Sequence, residues 1–166
     1  AALLAAQKSM VLLKNEPQVL PLKSEDLHKI YVTGPTANDL TVLLGNYNGF
    51  NGTLVSFLEG IVNRANPGTV VEFNQGSLLT ENMNFNGIYH AGSSDAIIAC
   101  VGNSRFLEGE NGDALLNEYG GDRVDIRLPE NQMVFLRKLK EAAGEKPLIA
   151  VVTGGSAIAL TEVEEL

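Results

Sequence analysis

The stretch Asp95-Ala-Ile-Ile-Ala-Cys-Val-Gly102 is apolar at every position between its two ends. Such a run, without alternation of polar and apolar residues and ending at glycine, is typical of a strand buried on both faces of a parallel sheet. Cys100, the only cysteine of the chain, lies inside this run, so we expect a buried, unreactive thiol and no disulfide. The stretch therefore predicts the interior of an α/β fold.

Segments of the same kind alternate with helical patterns along the whole chain. This alternation predicts a three-layer α/β/α sandwich with a mainly parallel sheet. Because no further helix follows the last predicted strand, we expect the domain to be incomplete at its C-terminal end. The predicted helices span 1–14, 54–65 and 130–143, with a weak helical tendency over 82–92, and the predicted strands span 29–34, 69–73, 95–101, 147–153 and 157–160.

The composition of the chain argues against several classes of function. Its 166 residues are 45% hydrophobic and 19% charged, with a formal net charge of -8 at pH 7. These values are those of one globular domain with a core of its own. Nucleic acids and anionic membranes require a basic footprint, so we expect neither as a partner. No apolar run in the sequence approaches the length that spans a bilayer.

A long loop rich in carboxylates separates the third strand from the last long helix. This acidic loop, residues 105–123, follows a strand end, which is where parallel α/β sheets place their ligand sites. Charge and length alone favour a solvated surface loop. Glycoside hydrolysis, however, uses two carboxyl groups that flank the scissile bond, and in an extended loop Glu108 and Glu110 would point the same way. The charged residues of the loop are Arg105, Glu108, Glu110, Asp113, Glu118, Asp122 and Arg123.

The remaining motifs are less specific. The calcium-loop pattern is absent and His28 and His90 are isolated in sequence, so we predict no metal site and two structural or surface histidines. Glycine-rich turns follow several strands, as at Gly154-Gly-Ser156, but none matches a phosphate-binding motif. Tyr47 lies in the turn Gly45-Asn-Tyr-Asn-Gly49, where an aromatic ring among amides suits either sugar binding or simple packing within a turn.

In their order and spacing, these segments resemble the second, α/β sandwich domain of glycoside hydrolase family 3, almost from end to end. Residues 1–22 look like the lead-in helix and tie of that domain. The turn around Tyr47 and the motif Leu107-Glu-Gly-Glu110 look most like the branch that contains β-xylosidases, α-arabinofuranosidases and some β-glucosidases. The segments that carry the resemblance are 5–15, 20–22, 30–38, 44–49, 58–61, 107–110, 121–123, 128–132 and 154–156.

The resemblance implies a retaining exo-β-glycosidase that releases terminal xylose, glucose or arabinose through a covalent glycosyl-enzyme. In the family the nucleophile is an Asp on a separate N-terminal (β/α)8 barrel, so we expect this chain alone to hydrolyse nothing. The match to the family places the acid/base at Glu108. Glu110 is the reserve, because residues 111–120 lengthen the loop relative to shorter family members.

The same resemblance implies roles for the neighbouring residues and for the partners. Tyr47 and Arg105 are the implied sugar contacts, and we expect Asp122 and Arg123 to brace the loop through an ion pair. The implied substrate is an oligosaccharide or an aryl glycoside, and the implied partner is the barrel of the same polypeptide. Enzymes of the family usually need no cofactor, and their frequent export in bacteria favours a periplasmic or secreted location.

Two other functions remain open on the residues alone. A carbohydrate-binding module could keep this fold and lack the chemistry, and the presence or absence of an upstream barrel would separate it from an enzyme. A domain that binds nucleotides or phosphosugars fits less well, because the chain is acidic and carries no phosphate-cradling motif.

Overall fold

The computed structural model describes residues 2–49 and 51–166, and its centre is a four-stranded sheet. Residue 1, where the first helix is predicted to start, and residue 50 of the Gly/Asn-rich loop lie outside the described residues. The strands are β1 (Lys29–Thr33), β2 (Val70–Asn74), β3 (Ala96–Gly102) and β4 (Leu148–Thr153). They lie in the order β2-β1-β3-β4 and every neighbouring pair is parallel, which confirms the predicted parallel sheet.

Strand β3 lies in the middle of the sheet and is its most buried element. Ile97, Ala99, Cys100 and Val101 are fully buried, because helices cover both faces of the sheet. Burial raises the pKa of the Cys100 thiol to about 12, and the predicted burial of this free cysteine is confirmed. The apolar run between Asp95 and Gly102 is therefore an interior strand.

Two helices form the outer layers of the sandwich. Helix α2 (Phe57–Arg64) packs on one face, where Phe57, Leu58 and Ile61 lie against Val32 and Cys100. Helix α4 (Glu130–Ala143) packs on the other face, where its apolar stripe meets residues of β1 and β3. Within the described ranges, no helix combines the length and the apolarity needed to cross a membrane. The helices are α1 (Ala2–Ser9), α2 (Phe57–Arg64), α3 (Tyr89–Gly92), α4 (Glu130–Ala143) and α5 (Thr161–Glu164).

Three segments differ from the prediction. Helix α1 ends at Ser9 rather than at residue 14, and residues 10–13 continue it as an exposed segment without helical structure. Only Tyr89–Gly92 is helical within 82–92. The strand expected over 157–160 is reduced to one parallel bridge between Arg127 and Ala159, and α5 follows it.

A buried side chain of α4 fixes the end of β3. Gln132 accepts a hydrogen bond from the Gly102 N–H at 2.8 Å and donates to the carbonyl oxygens of Gly102 at 2.9 Å and Leu79 at 2.8 Å. Gly102 has φ +137°, and a Cβ there would lie 2.0 Å from the Thr153 carbonyl oxygen, so the position requires glycine. This clamp sets the point at which the chain leaves the sheet toward the acidic loop.

Candidate active site

The acidic loop is folded onto itself beyond the carboxyl end of β3. The Asn117 side chain donates to the carbonyl oxygens of Leu107 at 3.1 Å and Gly121 at 2.8 Å, and so ties the two ends of the loop together. Leu107 and Ala114 are buried beneath it. The loop is therefore an ordered part of the fold and not merely a solvated excursion.

The Glu108 carboxylate accepts hydrogen bonds from two side chains that are distant from it in sequence. Its Oε2 atom accepts hydrogen bonds from Arg123 Nε at 2.7 Å and from Ser156 Oγ at 2.6 Å. Ser156 belongs to the turn that follows β4, so the carboxylate is tied to the neighbouring strand end. The side chain remains 28% exposed. Among the described residues, no protein donor bonds Oε1, the other oxygen of this carboxylate.

The turn around Tyr47 lies beside the second glutamate of the loop. The Glu110 carboxylate raises the pKa of the Tyr47 phenol, first by accepting its hydrogen bond and then through its negative charge. The Asn46 side-chain oxygen would lie 3.3 Å from a Cβ built on Gly109, so the turn and the loop are in close contact. Tyr47 is 86% exposed. The structure thus brings the predicted sugar contact next to the predicted acid/base segment, while the contact with sugar itself stays a prediction.

The two glutamates of the motif have different partners. Glu108 accepts hydrogen bonds from Arg123 and Ser156, whereas Glu110 acts on Tyr47. One expectation about the loop is wrong. The ion pair of Arg123 is formed with Glu108 and not with Asp122, which is exposed and makes no salt bridge within the described residues. Arg123 still braces the loop, but through the candidate acid itself.

Arg105 and the histidines have local roles in this structure. The Arg105 guanidinium lies over the ring of its neighbour Phe106, 5.1 Å from the ring centroid. Its predicted contact with sugar is untested. His90 pairs with Glu72 at 2.8 Å and His28 is exposed, which confirms the structural and surface roles expected for the two histidines.

A cleft of about 430 Å³ runs along the flank of the acidic loop that faces α4. Its walls include Leu107 and Tyr119 of the loop, Met83 from the preceding crossover, and Asn131 of α4. Neither Glu108 nor Tyr47 lines this cleft, but Arg123, which bonds Glu108, is one of its lining residues. The part of the chain that the structure describes holds no group of three or more His, Cys, Asp or Glu side chains arranged for a metal ion.

Sequence reasoning missed the partners that fix Glu108. Ser156 appeared only as the end of a glycine-rich turn, and its distance from Glu108 in sequence hid the contact. One signal was available. Ser156 lies three residues after the carboxyl end of β4, and the acidic loop begins three residues after that of β3. The carboxyl ends of parallel strands meet at one edge of the sheet.

The fold and this arrangement define a class of protein: a parallel α/β sandwich with a carboxylate site at the carboxyl edge of its sheet. Residues 10–166 match the family described as the Glycosyl hydrolase family 3 C-terminal domain. Because the match covers most of the chain, this protein belongs to that family. The family to which the sequence was likened is thereby confirmed.

The relatives are glycoside hydrolases of greater length. The chain is 36% identical over 161 residues to the probable exo-1,4-beta-xylosidase xlnD of Aspergillus niger, a match that covers 93% of this chain and 18% of the relative. It is 28% identical over 174 residues to a beta-xylosidase of Formosa agariphila, covering 99% of this chain and 22% of that protein. The chain thus spans about one fifth of the length of these relatives.

Solved structures show the same fold over nearly the whole chain. A GH3 exo-beta-xylosidase (XlnD) in complex with a xylobiose aziridine activity-based probe superimposes with a TM-score of 0.80 at 32% identity, covering 99% of this chain and 20% of that one. The b-glucosidase EmGH1 of Erythrobacter marinus gives a TM-score of 0.79 at 28% identity, covering 96% of this chain and 24% of its own. The α/β sandwich architecture is therefore that of family 3 C-terminal domains.

Proposed function

We propose that this chain is the second domain of a retaining exo-β-glycosidase and that it supplies the acid/base, Glu108, to an active site shared with a (β/α)8 barrel. The observation that carries the proposal is the state of the Glu108 carboxylate. One oxygen is fixed by Arg123 and Ser156, and the other is left without a protein donor in the described chain. A carboxyl group that exchanges a proton with substrate needs both a fixed orientation and a free oxygen.

The chemistry assigned to Glu108 has two steps. In the first, Glu108 protonates the oxygen of the leaving group while a carboxylate of the barrel attacks the anomeric carbon and forms a glycosyl ester. In the second, Glu108 takes a proton from water, which attacks the same carbon and releases the ester. The two inversions retain the β configuration, and the proton given up in the first step is recovered in the second.

The surface around Glu110 and Tyr47 is assigned to the sugar. Tyr47 offers an exposed ring on which the apolar face of a pyranose can stack, and the Glu110 carboxylate raises the pKa of its phenol. Arg105 belongs to the same loop and is retained as a further candidate contact. The similarity to beta-xylosidases favours terminal β-linked xylose, and the similarity to a b-glucosidase and a beta-xylosidase/alpha-L-arabinofuranosidase makes glucose and arabinose the other candidates.

The proposal is tested in the enzyme that joins this chain to its barrel. Glu108→Ala removes the acid, so the rate on substrates with poor leaving groups should fall by about 10²- to 10⁴-fold, while activated aryl glycosides lose far less in the glycosylation step. Glu110→Ala is the matched control, since it deletes the other glutamate of the same motif. If Glu110→Ala shows this leaving-group dependence and Glu108→Ala does not, the assignment is wrong.

A second test uses the chain by itself. The proposal expects it to release no measurable product from aryl β-xylosides or β-glucosides, because the nucleophile lies on the barrel. Robust cleavage by the purified chain, abolished by Glu108→Ala, would contradict the division of the active site between two domains. The absence of any barrel from the gene that encodes the chain would favour a carbohydrate-binding module instead.

A further inference from the structure

Arg123 is the centre of a hydrogen-bond network that joins two strand ends to Glu108. Its side chain is only 10% exposed. Besides Glu108, the guanidinium donates through Nη2 to Ser156 Oγ at 3.0 Å and to the Ala157 carbonyl oxygen at 2.8 Å. Because the N–H donors of a guanidinium lie in one rigid plane, these bonds fix the orientation of Arg123 relative to the turn after β4.

Asn103 holds the same guanidinium from the end of β3. In the amide orientation that satisfies both of its polar groups, its oxygen accepts hydrogen bonds from Arg123 Nη1 at 2.9 Å and Nη2 at 3.2 Å. The backbone N–H of Asn103 donates to the Thr153 carbonyl oxygen at 2.9 Å, which anchors it to β4. Asn103 is 5% exposed and follows Gly102, the residue that Gln132 clamps. The position of the Asn103 amide is therefore fixed by the sheet.

Both arms of the network act on one atom. Arg123, held by Asn103, and Ser156 each donate to Oε2 of Glu108. A carboxylate held by one oxygen in this way has a defined plane, so the position of the other oxygen is defined as well. The general acid of a glycosidase requires such control, because a displacement of about 1 Å can reduce a rate by about 100-fold.

We propose that Asn103 and Ser156 are positioning residues for Glu108, and that Oε1 is the oxygen that exchanges the proton with substrate. The inference rests on the proposed function and adds the residues that orient its acid. Asn103 acts through Arg123, whereas Ser156 acts on Glu108 directly. Neither residue needs to touch the sugar.

The test compares paired variants in the enzyme that carries the barrel. Ser156→Ala and Asn103→Leu each remove one arm, and kcat/KM for poor leaving groups should fall by about 10- to 100-fold while activated aryl glycosides change little. Ser156→Thr keeps the hydroxyl and should restore most of the rate. Ser93→Ala, an exposed serine at the opposite edge of the sheet, is the matched control and should behave like the wild type.

The outcomes separate the two proposals. Equal losses on good and poor leaving groups, or a Ser156→Thr enzyme no faster than the Ser156→Ala enzyme, would overturn the positioning role and leave only a structural one. Glu108→Gln is measured in the same series. If Glu108→Gln shows the leaving-group dependence and Ser156→Ala and Asn103→Leu do not, only the positioning inference is wrong. If Glu108→Gln also lacks the leaving-group dependence, the proposed function is wrong as well.

Discussion

Strand β3 and the acidic loop that follows it are held together by different physical means. In β3, fully buried apolar side chains and parallel strand pairing on both sides fix the backbone. In the loop, order depends on a few side chains that bond atoms far away in sequence, as Arg123 does with Glu108 and Ser156. Apolar burial is shared among many contacts, whereas each polar contact of the loop has a specific partner. Apolar burial fixes the sheet, and the side-chain hydrogen bonds fix the position of Glu108.

The largest effect is expected where the two regions join. Gly102→Ala would place a Cβ 2.0 Å from the Thr153 carbonyl oxygen at φ +137°, so β3 and β4 could not keep their register. We expect a loss of more than about 3 kcal/mol in the free energy of unfolding, or failure to fold. Gly120→Ala is the matched control in the loop, since φ is +68° and no atom lies within 4 Å of the added Cβ. It should cost about 1 to 2 kcal/mol in thermal or denaturant unfolding.

Equal losses of unfolding free energy for Gly102→Ala and Gly120→Ala would contradict the contrast between β3 and the acidic loop. They would mean that the end of β3 tolerates distortion as readily as the loop does.

The next effect concerns the clamp between α4 and β3. Gln132→Leu leaves the buried N–H and carbonyl groups of Gly102 without their side-chain partner, so we expect about 2 to 4 kcal/mol of destabilisation by denaturant unfolding. Gln75→Leu changes the same residue type at an exposed position whose side chain makes no hydrogen bond within the described residues. It should stay within about 0.5 kcal/mol of the wild type. A Gln132→Leu variant as stable as Gln75→Leu would show that the clamp is dispensable.

The smallest effect lies entirely within the loop region. The pKa of Tyr47 is raised from its ordinary value of 10.0 by Glu110. A raised folded-state pKa means that the stabilising contact is present below pH 10 and is lost as the pH rises through the folded pKa. Glu110→Gln should move the Tyr47 titration back toward 10.0 in ultraviolet absorbance, assigned by difference against Tyr47→Phe.

Glu118→Gln, at another exposed carboxylate of the loop, is the control and should leave that titration in place. If Glu110→Gln leaves the Tyr47 pKa unchanged, the turn around Tyr47 and the acidic loop are not in contact in solution.

The same contrast explains how far the sequence could predict this molecule. The apolar run of β3 and the helical spacing of Glu130–Ala143 predicted their elements closely, because burial leaves a periodic trace in the sequence. The resemblance to a family singled out Glu108, whose catalytic role stays a prediction. The contacts of Glu108 with Arg123 and Ser156 left no such trace, since they depend on how two strand ends meet in space.

The failed expectations have the same origin. The expected pairing of Asp122 with Arg123 was based on proximity in sequence. The largely buried Arg123 side chain pairs instead with Glu108, which is more distant in sequence. The predicted helix over 1–14 followed from local helix propensity, whereas α1 ends at Ser9 and no residue from 2 to 13 is buried. Local patterns cannot supply information about such long-range contacts.

The central claim is that Glu108 is the acid/base of a retaining glycosidase, and chemical rescue by azide tests it most directly. In the enzyme with its barrel, Glu108→Ala should still form the glycosyl ester from an activated aryl glycoside but hydrolyse it slowly, because no base activates water. Azide needs no base, so it should attack the anomeric carbon, displace the enzyme carboxylate and accelerate turnover. The account predicts a β-glycosyl azide as product for Glu108→Ala and no rescue for Glu110→Ala. An unaccelerated Glu108→Ala enzyme, or an azide product of inverted configuration, would contradict it.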